Sequence, residues 1–214
     1  MKKNKNTIIL LSFFIILSAI FMGYYYKVNQ ETRRILPVLG NPGHHVGNFS
    51  FINQDGKTIT NADVKGKICV VEYFFATCRG ICPKMNEHMV KVYQAFRGNN
   101  HILILSHTVD PKKDTVQALK TYSLKYDADA KQWMFLTGDK KALYNMARYD
   151  YLVTAVDDTT NVDIQSDFIH TKYWVLVDGN GEVRGSYDGT NIGQVNQLIG
   201  DIKELQKEEE HEKH

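Results

Sequence analysis

A chain of 214 residues, 43% hydrophobic and 23% charged, can bury one sizeable core and is too apolar to be a disordered protein. The net charge is only +2, and the three lysines ahead of the first apolar run exceed that excess, so the remainder offers no basic surface for a nucleic-acid backbone. Three cysteines are too few, and odd in number, for a disulfide scaffold.

Residues 7–26, "TIILLSFFIILSAIFMGYYY", are uncharged and follow Lys2, Lys3 and Lys5. As a helix rising about 1.5 Å per residue, this run is long enough for the roughly 30 Å hydrocarbon layer. Tyr24 to Tyr26 stand where an interfacial aromatic belt would lie, and no small-x-small cleavage site follows. An uncleaved transmembrane anchor is therefore expected, with a removed signal peptide as the alternative. Lys27, Arg33 and Arg34 nearly balance the charge bias, so orientation rests on a short cytoplasmic N-terminus, residues 1–6. The soluble domain then lies on the extracytoplasmic, periplasmic side of the cell membrane.

Residues 27–47 carry Pro37, Gly40, Pro42, Gly43 and Gly47 without periodicity and read as a tether. The domain is expected over 48–206, followed by a charged tail, 207–214, whose His211 and His214 could bind metal loosely. Within the domain, "FSFINQDGKTIT" reads as a hairpin turning at Asp55-Gly56. "ICVVEYFF" reads as a buried strand in which Cys69 is a small core residue. A helix from Pro83 to about Phe96 comes next, then the strand "HILILSHTV". A second helix, about Thr115 to Tyr126, is expected to start in a capping box of Asp114 and Gln117. The strand "WMFLT", a helix from Lys140 to Arg148, a hairpin "YWVLVD"/"EVRGSYD" turning at Asp178 to Gly181 and a closing helix from Ile192 to Leu205 complete the series.

Alternating strands and helices with near-continuous apolar central strands predict an α/β domain. Its mainly parallel sheet is covered on both faces and has hairpins at its edges. Ligand sites in such sheets lie outside the carboxyl ends of the strands. The loop "CRGICP", after the first central strand, is in that place.

Pro83 suits the first helical position, which sets Cys82 at a helix N-terminus. Unsatisfied N–H groups there and the charge of Arg79 favour a thiolate, so a pKa below the free value of about 8.5 is expected. Gly80 lets the loop curl and bring Cys78 toward Cys82. Such a pair can exchange disulfides, hold a metal or form a fixed staple, and its position on the ligand edge favours the staple least. Three intervening residues, where thioredoxin-like reductants have two, widen the loop enough for an ion.

A metal on two sulfurs wants a third ligand, to be sought among eight histidines. His44 and His45 lie in the arm, His88 on a helix and His101 at a strand start, all as ordinary polar residues. His107 sits near the site or turns into the sheet. His170 stands immediately before a central strand, in "DFIHTKYWVLVDGNGEV", where a loop would approach the cysteine turn.

Together, Cys78-x-x-x-Cys82-Pro83, "TVDPKKDT", "FLTGD" and a His before "WVLVDGNGEV" resemble the Sco/SenC family, the copper-binding assembly factors of cytochrome c oxidase. The match runs from about Gly47 to Leu205. The resemblance implies a thioredoxin-like fold with a central mixed sheet flanked by helices, and one copper ion, Cu(I) or Cu(II), bound by Cys78, Cys82 and His170. It also implies a metallochaperone whose partner is the copper-bearing oxidase subunit or another copper chaperone. Many members have Asp directly before that His, where this chain has Ile169, with Asp167 three residues before the His. Soft thiolates suit Cu(I), and an added imidazole serves either oxidation state. Zinc with three protein ligands and water competes, but no carboxylate stands ready as a general base. Asp110, in "VDP", either tunes the ligands or starts the turn that Pro111 continues.

The opposing reading is a thiol-disulfide oxidoreductase that reduces client cysteines. Enzymes of that kind resemble one another in a cis-proline before the strand that "YWVLV" would form. The four prolines, 37, 42, 83 and 111, are all elsewhere, which favours metal. The peroxiredoxin pattern P-x-x-x-T-x-x-C is absent, Thr77 being adjacent to Cys78. A redox or copper sensor would share the same site.

Overall fold

A computed structural model describes residues 5–31, 35–78, 80–153 and 171–212. His170, Asp167, Ile169, Arg79 and His214 lie outside the described residues. Two compact units divide the chain, Met1–Ile35 and Leu36–His214. The first holds α1 (Lys5–Glu31), which is long and apolar enough over Lys5–Lys27 to cross a membrane and buries none of that stretch.

The second unit is built on seven strands: β1 (Ser50–Asn53), β2 (Thr58–Thr60), β3 (Ile68–Phe74), β4 (Ile102–Thr108), β5 (Trp133–Thr137), β6 (Tyr173–Val177) and β7 (Val183–Asp188), in spatial order β2-β1-β5-β4-β3-β6-β7. Only β3, β4 and β5 are parallel; β1 joins β5 and β6 joins β3 antiparallel, so the sheet is mixed. Every residue of β3, β4 and β5 is buried, as a strand covered on both faces requires. The β1–β2 hairpin turns on Gly56, at φ +76°, while the Asn53 carboxamide accepts from the amides of Asp55 and Lys57.

Alternation along the strands divides the core in two. Val70 and Phe74 of β3 and Ile104 of β4 pack with α3 (Cys82–Phe96), α4 (Val116–Leu124) and α6 (Ile192–Glu212). On the other face Val71, Tyr73 and Leu105 pack with α5 (Lys140–Asn145) and the π-helical turn Met146–Asp150 that extends it. Cys69 is buried in this second core, as expected. A short helix, α2 (Asn61–Val64), precedes β3.

Two features differ from the sequence reading. Residues 36–47, expected as tether, lie along the edge strand β7. Leu39 donates its amide to Val183, Val46 donates to Gly181, the Arg184 guanidinium reaches the carbonyls of Leu36 and Pro37, and Leu36 is buried. An edge strand has unpaired backbone groups on its outer side, and these take up a segment that has no pattern of its own. The second difference is the start of α4, which is capped by the Thr115 hydroxyl accepting from the Ala118 amide rather than by Asp114. Asp114 turns inward to the functional end of the sheet.

Candidate metal centre

At the carboxyl end of β3 the chain makes a tight turn, the Cys78 amide donating to the Phe75 carbonyl at 3.1 Å. Helix α3 opens at Cys82 with Pro83 in its first turn, where a missing N–H costs nothing. The two thiols are close neighbours, Cys78 half-buried and Cys82 only 7% exposed. Burial, then the adjacent Cys78, pushes the Cys82 thiol up to about 12, against the backbone of Phe75. This corrects the expected depression: the helix N-terminus does not outweigh the loss of water around a thiol that also shares its space with a second sulfur. The Cys82 thiol thus holds its proton until a soft cation or a disulfide takes its place.

Asp114 fixes this turn to the neighbouring strand. Its Oδ2 accepts from the Ala76 amide at 3.1 Å and from the Thr108 hydroxyl at 2.5 Å, tying the residue two before Cys78 to the end of β4. Burial raises the Asp114 pKa against those two bonds. Asp110 holds the turn itself: its carbonyl accepts from the amides of Lys113 and Asp114, its amide donates to the Thr108 hydroxyl, and its carboxylate pairs with Lys113 at 3.2 Å.

Behind the dithiol lies a buried polar chain. The Trp133 indole donates to the Ser106 hydroxyl at 2.8 Å, and Ser106 donates to Glu72 at 2.5 Å. Burial pushes the Glu72 carboxyl up to about 7, opposed by the hydrogen bond from Ser106, and its charge adds to the upward shift of Cys82. Asn86, one turn along α3 from Cys82, donates to the Tyr122 hydroxyl at 2.6 Å. Sequence reasoning passed over Glu72 and Asn86. The signal for Glu72 was present, a lone acid inside the apolar run "ICVVEYFF".

Of the histidines, His88 meets the Gly189 carbonyl and His44 the Asp150 carbonyl, each at 2.8 Å, while His45, His101 and His211 are exposed. His107 turns into the sheet, on the face away from Glu72, with its ring stacked on Tyr73 at 5.2 Å. Among the described residues no three His, Cys, Asp or Glu side chains gather into a metal-binding group. The structure brings Cys78 and Cys82 together. The donor set they offer, two adjacent sulfurs at a solvent-facing bend, fits a soft ion that completes its coordination with one further ligand.

The SCO1/SenC family model matches residues 39–207. An SCO1 protein homolog from Bacillus subtilis is 29% identical over 161 residues, covering 75% of this chain and 82% of the relative. The solved structure of BsSco, a member of the Sco family of cytochrome c oxidase assembly proteins with a disulfide switch, superposes with a TM-score of 0.63 at 26% identity, covering 78% of this chain and 96% of that one. The copper-bound structure of Arabidopsis thaliana ScoI gives 0.57 at 25% identity, covering 75% and 98%. With a family match over most of its length and a dithiol at the carboxyl end of its central strand, the chain belongs to the SCO1/SenC family.

Proposed function

We propose that this protein is a membrane-anchored copper carrier that assists assembly of the copper centre of cytochrome c oxidase. It takes one copper ion as cargo on Cys78, Cys82 and His170. The observation that carries the reading is the convergence of two thiols just beyond β3, in a family whose solved relatives include a copper-bound protein. Copper is the ion that two sulfurs and an imidazole favour, since thiolates stabilise Cu(I) and a low coordination number leaves the ion transferable. Asp114 holds the turn that presents Cys78, and Asp110 shapes the adjoining loop from which its carboxylate tunes the site. The N-terminal helix anchors the chain, the domain faces the extracytoplasmic side, and the recipient is the copper-bearing oxidase subunit or another copper chaperone.

A second reading rests on the same pair. Adjacent thiols can pass two electrons and two protons to a client disulfide, reducing it to two thiols while Cys78 and Cys82 form their own S–S bond. The disulfide switch of BsSco supports this chemistry in a relative.

One titration separates the two. The reduced full-length chain, its His170→Ala variant and its Cys82→Ser variant are titrated with Cu(I) and Cu(II) against a competing chelator, beside an assay of client-disulfide reduction. The carrier reading expects His170→Ala to weaken copper at least tenfold, about 1.4 kcal/mol or more, while disulfide formation between Cys78 and Cys82 persists. Unchanged copper affinity in that variant, together with steady reductase turnover, would replace the carrier by the reductant.

A further inference from the structure

At the amino end of β3, away from the cysteine turn, the fold forms an open-mouthed cavity of about 480 Å³. That is within the size range of small-molecule sites. Phe49, Val64, Leu105 and Val177 give it an apolar wall. Tyr151 also lines it, following the π-helical turn and donating its amide back to the Met146 carbonyl at 2.9 Å. The next residue, Leu152, is held at φ +56°, an unfavourable conformation for a branched side chain. Single π-helical turns of this sort recur at functional sites.

An inventory of the polar lining shows what is left for a ligand. Asn61 accepts from the Phe49 amide and donates to the Gly47 carbonyl. Asp178 accepts from the amides of Asn180 and Glu182 and is paired with the buried Arg184 at 2.8 Å. The Gly179 amide donates to Glu209. The Cys69 thiol is directed to the Lys67 carbonyl at 3.7 Å, and burial holds it protonated. Lys65 and Lys67 remain, and neither has a carboxylate ion-pair partner among the described residues. Arg184 is shared between Asp178 and Glu208, and Glu209 accepts from the Gly179 amide, so Lys65 and Lys67 are the cationic groups left for a ligand at the rim of an apolar interior. Strongly hydrated ions such as sulfate find too few donors there, and neutral hydrocarbons would leave the lysines unused.

We propose that this cavity binds a small amphipathic monoanion, an apolar chain ending in one anionic group, with the chain against Leu105 and Val177 and the anion at Lys65 and Lys67. The site is separate from the dithiol and does not depend on the copper reading. Such a group reaches the protein as a free carboxylate or as an anionic lipid of the bilayer, and the test distinguishes the two.

The full-length chain is placed in nanodiscs of neutral phosphatidylcholine, and the methyl resonances of Val64, Leu105 and Val177 are followed by NMR as decanoate is added. Saturable shifts at these methyls are expected, with those of Val92 and Val195 in the opposite core unmoved. The doubly substituted variant Lys65→Gln, Lys67→Gln should weaken decanoate at least fivefold. Decanol, which has the same chain without the charge, should bind at least fivefold more weakly than decanoate and be indifferent to that variant. If the same methyls are already shifted in phosphatidylglycerol nanodiscs, in a lysine-dependent way, a bilayer lipid is the source of the anion. Absence of saturable shifts with either source, or equal affinities for decanoate and decanol, would overturn the proposal.

Discussion

Ser106 and His107 are neighbours on β4, paired in register with Glu72 and Tyr73 of β3, yet they face opposite sides of the sheet. On one side Ser106 sits between Trp133 and Glu72 in a continuous hydrogen-bonded chain. On the other, His107 is fully buried among the rings of Phe51, Tyr73 and Tyr151, and neither ring nitrogen has a partner among the described residues. Burial is equal and the consequence is not. A buried polar group is tolerable when its bonds are remade inside, and costly when they are not. The Trp133–Ser106–Glu72 chain lies behind the dithiol, on a face where the Trp174 indole and the Asn86 carbonyl lack partners among the described residues, whereas the imidazole, with both ring nitrogens orphaned, lies on the face that carries the cavity.

Acid separates the two faces most forcefully. Burial lowers the His107 pKa from 6.5 to about 3, so between those values the unfolded chain binds a proton that the folded chain refuses. Stability is therefore fully present above pH 6.5 and is lost as pH falls toward 3, by about 1.4 kcal/mol per unit and about 4–5 kcal/mol in all. Denaturant unfolding of the reduced, copper-free chain should show this slope between about pH 3 and 4.5, below the range in which Glu72 titrates, and His107→Phe should remove it there.

Glu72 works in the opposite direction. Its pKa is raised from 4.5 to about 7, so the folded chain retains a proton that the unfolded chain releases. The stability it contributes is full below pH 4.5 and is lost as pH rises toward 7, about 3 kcal/mol in total. Between about 4.5 and 6.5 the two slopes cancel, and wild type should be nearly flat there. Glu72→Gln should then gain stability with rising pH across this window and His107→Phe should lose it. Parallel profiles for the two variants would show that the two faces do not differ as described.

Asp114→Ala tests the hydrogen bonds near the site. It leaves the Ala76 amide and the Thr108 hydroxyl without their acceptor, at an expected cost of about 2–3 kcal/mol. Because that carboxylate also fixes the turn before Cys78, the variant should increase hydrogen exchange at Ala76 and Cys78 more than in β6 or α6.

How far the sequence foretold this arrangement depends on the range of the interactions. The strands and helices were legible, since β3 and β4 are continuous apolar runs and α3 begins where Pro83 allows. The dithiol was legible too, because loop curvature and helix start are local. The role of Asp114 was not: "DTVQ" satisfies a local capping pattern, and only the distance between β3 and β4 turns its carboxylate to Ala76 instead. Residues 36–47 misled for a related reason, as a segment without periodicity gives no sign of the edge strand it will lie along. The Cys82 thiol was misjudged because a helix N-terminus can be read from sequence, whereas the depth at which it is buried cannot.

The smallest expected effect is a gain. At pH 8 His107 is neutral in the folded and the unfolded chain, so titration no longer contributes and only the unpartnered nitrogens remain. Phe at this position keeps an aromatic ring for Tyr73 to stack on and for Phe51 and Tyr151 to meet edge-on or tilted, and it has no donor or acceptor to strand. Against the desolvation relieved, about 1–3 kcal/mol, stands the crowding of a slightly larger ring in a close-packed layer, so a net stabilisation of about 1 kcal/mol is expected. His107→Ala removes the same nitrogens but opens a cavity between the three rings, and should destabilise by about 2 kcal/mol or more. The opposite signs of the two substitutions separate polarity from volume. Were Phe also to destabilise at pH 8, the imidazole would have to be making a bond that its ring neighbours do not provide, such as one to an ordered water, and the two faces of the sheet would be more alike than they look.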